Sequence, residues 1–145
     1  MNRALGIDFG QARIGLAISD ELCLLAHPLE TVPAGRDAIA RIAALILQNK
    51  VDCVVVGVPR MMSGKLGPAA DEANAFIEKL RNVIGCRIVS WDERLTTVAA
   101  HRALQDAGKK TKETRGYVDQ VAAQMILQGY LDQQMMRRET DLPPE

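Results

Sequence analysis

Between Ala4 and Asp20 the chain alternates large and small residues with a period of two, and it does so twice. Leu5, Ile7 and Phe9 alternate with Ala4, Gly6 and Asp8. After Gly10-Gln11-Ala12, Ile14, Leu16 and Ile18 alternate with Gly15 and Ala17. Successive side chains of a strand point to opposite faces, so this is the pattern of a β-hairpin with one bulky face and one small face. Only Asp8 interrupts the small face, and the glycines and alanines around it leave room over its carboxylate. An ionised aspartate on a central strand loses hydration worth several kcal/mol unless a cation or strong donors replace it. Its alternative use is local, as an Asx-turn into Gly10.

The remaining pattern says what the hairpin belongs to. Residues 22 to 32 carry Cys23, Leu24, Leu25 and a Pro28 suited to an edge, and are expected to add a third, antiparallel strand. Ile39, Ile42, Ala43 and Ile46 have the spacing of an amphipathic helix, and Val51 to Val58 is a near-continuous apolar run, as in a strand covered on both faces. A loop with Gly64, Gly67 and Pro68 precedes a second helix bearing Ala73, Phe76, Ile77 and Leu80. Cys86 to Trp91 reads as a second buried strand. A helix from about Thr96 to Ala107, a polar loop from Gly108 to Gly116 and a helix from about Tyr117 to Met136 complete the order βββαβαβαα. That order implies an α/β fold whose mixed five-stranded sheet has the first strand at its centre, the antiparallel hairpin on one side and right-handed parallel crossovers on the other. With 145 residues, 48% of them apolar, the chain is long enough for one core and too short for two. One domain over 1–136 is expected, followed by a charged, proline-containing, disordered tail over 137–145.

Eighteen basic and eighteen acidic residues cancel, so the whole-molecule field does not draw in polyanions or acidic membranes; a polyanion must be met by a local patch. Cys23, Cys53 and Cys86 are odd in number and far apart, each in apolar surroundings, which fits reduced, buried thiols in a cytoplasmic protein. No leader-length hydrophobic region opens the chain, and no apolar run approaches the ~20 residues of a membrane helix.

Two further acids stand where strands end and helices begin. Glu93 lies in Trp91-Asp92-Glu93-Arg94-Leu95-Thr96-Thr97, beyond a parallel strand, and ligands gather at the carboxyl ends of such strands. Helix-start chemistry accounts for the threonines there, with acids favoured by the helix dipole. It does not account for two acids and an arginine crowded beside them. Asp119 opens the last helix on the face of Ala122, Ala123 and Ile126, the face that packs on the sheet, whereas an acid serving only the dipole can stay in solvent. Asp8, Glu93 and Asp119 converging on one edge make an all-oxygen site for a hard cation such as Mg²⁺ or Mn²⁺, able to bind phosphate oxygens and activate water. His27 and His101 are read as structural or solvent-facing.

Gly6-Ile7-Asp8-Phe9-Gly10 with Arg13-Ile14-Gly15-Leu16-Ala17, then Val56-Gly57-Val58-Pro59, then Trp91 to Thr97, then Val118-Asp119 with Ala122-Ala123 and Ile126-Leu127-Gln128, together resemble the YqgF family. The similarity spans residues 4 to 132, and it is specific because four separated motifs coincide in order. The resemblance implies an RNase H-like fold, kinship with Holliday-junction resolvases and nuclease activity on the 5′ end of the 16S ribosomal RNA precursor. It also implies Asp8, Glu93 and Asp119 as catalytic acids. Gly116-Tyr117-Val118 departs from the family's basic and aliphatic run.

Substrate contacts are expected from Lys109, Lys110, Lys112 and Arg115, in the glycine-flanked loop before Asp119, gripping phosphates by charge rather than reading bases. Arg13 and Arg94, beside Asp8 and Glu93, are suited to orienting the scissile phosphate. Trp91, at the end of a buried strand, is read as core. Precursor RNA and branched DNA both suit such a site, and the residues leave the oligomeric state open. Two other functions compete. Asp8-Phe9-Gly10 followed by Gly15 also resembles the phosphate loop of actin-like and sugar-kinase ATPases, but those close two domains over the nucleotide and this chain supplies one. A non-catalytic nucleic-acid-binding protein on the same fold is the third reading.

Overall fold

The computed structural model of this chain describes residues 2–61, 63–96 and 112–140, with residues 112–116 and 140 given by backbone alone. Strands β1 (Arg3–Phe9), β2 (Arg13–Ser19), β3 (Ala26–Pro33), β4 (Val51–Val58) and β5 (Arg87–Asp92) form one sheet in the order β3-β2-β1-β4-β5. β1 is antiparallel to β2 and parallel to β4, and β4 is parallel to β5. The expected mixed sheet with the first strand central is the one the chain builds. Among the described residues three helices flank it: α1 (Ala38–Gln48), α2 (Pro68–Arg81) and α3 (Lys112–Thr140).

The two faces of the hairpin decide which helix goes where. Leu5, Ile7, Ile14 and Leu16, with Val54 and Val56 of β4, pack against Ile42 and Ile46 of α1 and against Phe76 and Leu80 of α2. On the opposite face Ala4, Ala17, Cys53 and Val55 meet Ala122, Ala123, Ile126 and Leu127 of α3. Small residues on both partners let α3 sit close. A β-carbon at Gly6 would stand 2.7 Å from Cβ of Leu127 and 2.8 Å from the carbonyl oxygen of Ala123.

Several boundaries differ from the sequence reading. β3 starts at Ala26 rather than near residue 22, because Asp20 closes a turn first: its carboxylate accepts from Leu24 N at 2.8 Å, and Asp20 N donates to the Leu25 carbonyl at 3.2 Å. β5 is not a strand buried on both faces. It lies at the sheet edge with one neighbour, so Arg87 and Ser90 are exposed and only Trp91 is fully buried. Among the cysteines Cys53 is buried while Cys23 and Cys86 are half-buried, and all are free thiols. The segment expected as loop through Gly116 is helical from Lys112 onward. At its other end α3 runs beyond Met136 to Thr140, with Arg137 and Arg138 in the last turn where the negative helix end favours cations. The expected tail from residue 137 is thus helix as far as Thr140. The expected helix over 96–107 and the first part of the basic loop lie outside the described residues. Among those described, no helix is long and apolar enough to cross a membrane.

Candidate active site

Asp8 lies near the carboxyl end of β1 with a glycine on either side. In β2 its cross-strand partner is Gly15. In β4 the parallel register pairs Ile7 with Val56 and so brings Asp8 beside Gly57. No side chain covers the carboxylate from these neighbours, yet the residue is only 8% exposed, because the elements over the glycines close around it.

Over Gly57 lies Glu93. β5 ends at Asp92, whose carboxylate accepts from Arg94 N at 3.0 Å and starts a single 3₁₀ turn, Glu93–Leu95. Thr96 fastens the turn's end, its N and Oγ1 donating to the Glu93 carbonyl at 3.2 and 3.1 Å. This geometry folds the Glu93 side chain back onto the sheet, where its Cγ lies 3.3 Å from the place a β-carbon of residue 57 would take. Glu93 is 5% exposed.

Over Gly15 lies Asp119, whose backbone rests on the glycine. Its carboxylate accepts from Nε of Arg13 at 2.8 Å, an ion pair whose members are part-exposed. Asp119 does not open its helix. It stands about two turns inside α3, roughly 10 Å from the end at Lys112. The dipole falls off within the first turn and does not explain an acid at that depth.

The three acids therefore follow one another along one edge, with Asp8 in the middle and Glu93 and Asp119 placed over the glycines to its sides. An all-carboxylate set with two members buried is the donor chemistry that a hard divalent cation takes. Among the described residues no three His, Cys, Asp or Glu side chains are already grouped tightly enough to hold one. The Asp119 carboxylate is turned to Arg13.

Of the expected substrate contacts, Arg13 is at the site as the partner of Asp119, and Arg94 is at its other flank, bound to Asp92. Lys109 and Lys110 lie outside the described residues, and Lys112 and Arg115 are described by their helical backbone only. Trp91 is buried core, its ring edge-on to Tyr130 with centroids 6.4 Å apart. His27 is exposed on β3, and His101 lies outside the described residues. Sequence reasoning passed over Arg60, which reaches the Asp92 carboxylate at 3.7 Å. It also gave no role to Gly57, although a lone glycine in a β-branched run signals a close approach.

Comparison with known proteins places the chain in a family. The family model RuvX, described as Holliday junction resolvase, matches residues 2–133. A protein of Halalkalibacterium halodurans named "Putative pre-16S rRNA nuclease" is 42% identical over 139 residues, covering 93% of this chain and 99% of its own. One of the same name from Chloroflexus aggregans is 46% identical over 130 residues, covering 88% and 92%. Among solved structures, Thermus thermophilus RuvC in complex with a Holliday junction substrate superposes with a TM-score of 0.54 at 18% identity, covering 93% of this chain and 96% of that one. The fowlpox virus Holliday junction resolvase gives 0.51 at 16% identity, covering 90% and 99%. At these identities the structures bear on the fold, which is RNase H-like.

Proposed function

The chain belongs to the RuvX family, and on that premise we propose that it is a divalent-metal-dependent nuclease whose substrate is the precursor of 16S ribosomal RNA, acting in the cytoplasm. The observation that carries this reading is the row of acids at one sheet edge, Glu93 over Gly57, Asp8 between the glycines and Asp119 over Gly15. Asp8, Glu93 and Asp119 are the residues that would hold Mg²⁺ or Mn²⁺, which when bound supplies phosphate binding and water activation.

The chain's own residues do the positioning. Asp8 is fixed by the central strand and Glu93 by the capped 3₁₀ turn, so neither carboxylate pays much ordering entropy when a ligand arrives. Arg13 holds Asp119 in the free protein and carries donors suited to a phosphate oxygen. In the cleavage, water adds its hydroxyl to phosphorus, the phosphorus–oxygen ester bond breaks, and the departing oxygen takes up a proton. Lys109, Lys110, Lys112 and Arg115 supply charge for the strand leading away from the scissile bond.

Precursor rRNA is favoured over branched DNA because relatives at 42% and 46% identity carry that substrate in their names. The Holliday junction, in the family description, is the second reading. The deciding experiment is cleavage of a precursor 16S rRNA fragment and of a four-way DNA junction, with Mg²⁺ and with Mn²⁺, by wild type and Asp8→Asn. RNA cleavage lost in the variant is the expected result. Junction cleavage without RNA cleavage would move the substrate to DNA, and no cleavage of either would refute the nuclease reading.

A further inference from the structure

Beside Glu93, a second charged group is built from two loops. After β4 the segment Pro59-Arg60 enters a tight loop in which Met61 N donates to the Lys65 carbonyl at 3.0 Å and Gly64 N to the Met61 carbonyl at 2.8 Å. Gly64 holds φ +88°, a conformation that side chains resist, and so turns the loop back toward the 3₁₀ turn. A β-carbon there would also stand 3.3 Å from Nη1 of Arg94. Arg60 Nη1 donates to the Gly64 carbonyl at 3.3 Å.

Asp92 stands between the two arginines. Arg94 donates to its two oxygens from Nε at 3.1 Å each and from Nη2 at 2.8 Å, while Arg60 Nε lies 3.7 Å from Oδ2. Two guanidiniums on one carboxylate leave a net charge of +1. The side chains of Arg60 and Arg94 are 38% and 43% exposed, against 21% for Asp92. Among the described residues, Nη2 of Arg60 and Nη1 of Arg94 donate to no protein acceptor. A pair fully occupied with itself would be a brace. This one aligns cations and leaves donors outward, one residue from a buried acid of the candidate site.

We propose that Arg60 and Arg94, aligned by Asp92, form a binding subsite for one phosphodiester group of the substrate strand next to the scissile position. Asp92 is a positioning residue: it fixes the two guanidiniums before the substrate arrives, which lowers the ordering cost of the contact. The subsite rests on the nuclease reading above and adds to it the flank on which the strand is held.

The test is equilibrium binding of a labelled single-stranded RNA at several salt concentrations, with divalent metal chelated so that the strand stays whole, for wild type, Arg60→Gln/Arg94→Gln, Arg60→Lys/Arg94→Lys and Asp92→Asn. A parallel assay with Mg²⁺ or Mn²⁺ confirms that wild type cuts. The glutamine double variant should bind about tenfold more weakly. Its plot of log affinity against log salt should be shallower by about 0.7, the contribution of one single-strand phosphate. The lysine variant should keep the slope and recover only part of the affinity. Asp92→Asn is the discriminating case, because asparagine still caps the 3₁₀ turn. If only net charge mattered, removing an anion would tighten binding; positioning requires weaker binding at an unchanged salt slope. Tighter binding by Asp92→Asn, or a glutamine variant that binds like wild type while wild type binds and cuts, overturns the subsite alone. Wild type that neither binds nor cuts overturns the nuclease reading and the subsite with it.

Discussion

The backbone of Asp119 in α3 rests on Gly15 in β2: a β-carbon at position 15 would collide with the Asp119 carbonyl group and stand 2.9 Å from its Cβ. Gly15 is also the cross-strand partner of Asp8. One bare position thus sets how close α3 comes to the strand, and with it where the Asp119 carboxylate stands relative to Asp8. Gly15→Ala must lever the helix outward. It is expected to cost about 1–3 kcal/mol of stability, as overpacking does, and to reduce cleavage further than the loss of folded protein explains. Denaturant melts and cleavage rates at a temperature where both proteins are folded provide the check; full activity per folded molecule would separate the helix position from the chemistry.

Asp8→Asn keeps the shape of the side chain between Gly15 and Gly57 and removes its charge. It should fold as wild type does, because the side chain keeps its size and its place on the central strand. Cleavage should fall by a factor of a hundred or more, on the order of the 10²–10³ seen when one transition-state contact is removed. A variant that cuts at the wild-type rate makes Asp8 structural.

How much of this was legible beforehand depends on whether a feature is local or tertiary. The hairpin, the central place of β1 and the exceptional position of Asp8 follow from a period-two pattern that one residue breaks, and that pattern needs no knowledge of the fold. Glu93 was findable because it follows a strand end. The exposure of β5 was not, since an apolar run reads alike in a central or an edge strand, and topology alone makes it the edge. The start of α3 was missed because Lys112-Glu113-Thr114-Arg115-Gly116 has a loop's composition and yet continues the helix. Arg60 and Asp92 meet because β4 and β5 lie side by side with Val58 opposite Asp92, a tertiary contact that no spacing encodes.

Away from the site, Glu30 on β3 accepts two hydrogen bonds from Arg41 of α1, at 2.8 and 2.7 Å. The hydrogen bond to Arg41 lowers the Glu30 pKa below its usual value. The folded state therefore binds this proton less readily than the unfolded chain. The pair's contribution is present above the unfolded pKa and is lost as pH falls through the lower, folded one. Glu30→Gln should melt below wild type at neutral pH, and the gap should close as pH drops below the ordinary carboxylate range. A gap independent of pH would assign the loss to packing instead of charge.

Asp119 poses the sharpest choice, because its carboxylate has a partner in Arg13 at 2.8 Å before any cation is considered. If the ion pair is its whole role, Asp119→Asn and Arg13→Gln are equivalent. Each then costs no more than the roughly 0–1 kcal/mol of a part-exposed pair. Neither alters the response to metal. If Asp119 completes the site with Asp8 and Glu93, the two variants part company. Mg²⁺ or Mn²⁺ should raise the wild-type melting temperature as the site fills, by the linkage between binding and folding. Asp119→Asn should shift that rise to higher metal concentration and lose cleavage. Arg13→Gln frees the carboxylate and should leave the metal response intact or move it to lower concentration, losing activity only through weaker hold on the phosphate. Melts of the three proteins across a metal titration, with cleavage measured alongside, separate the roles. Identical titrations for Asp119→Asn and wild type would remove Asp119 from the metal site and leave it as the anchor of Arg13.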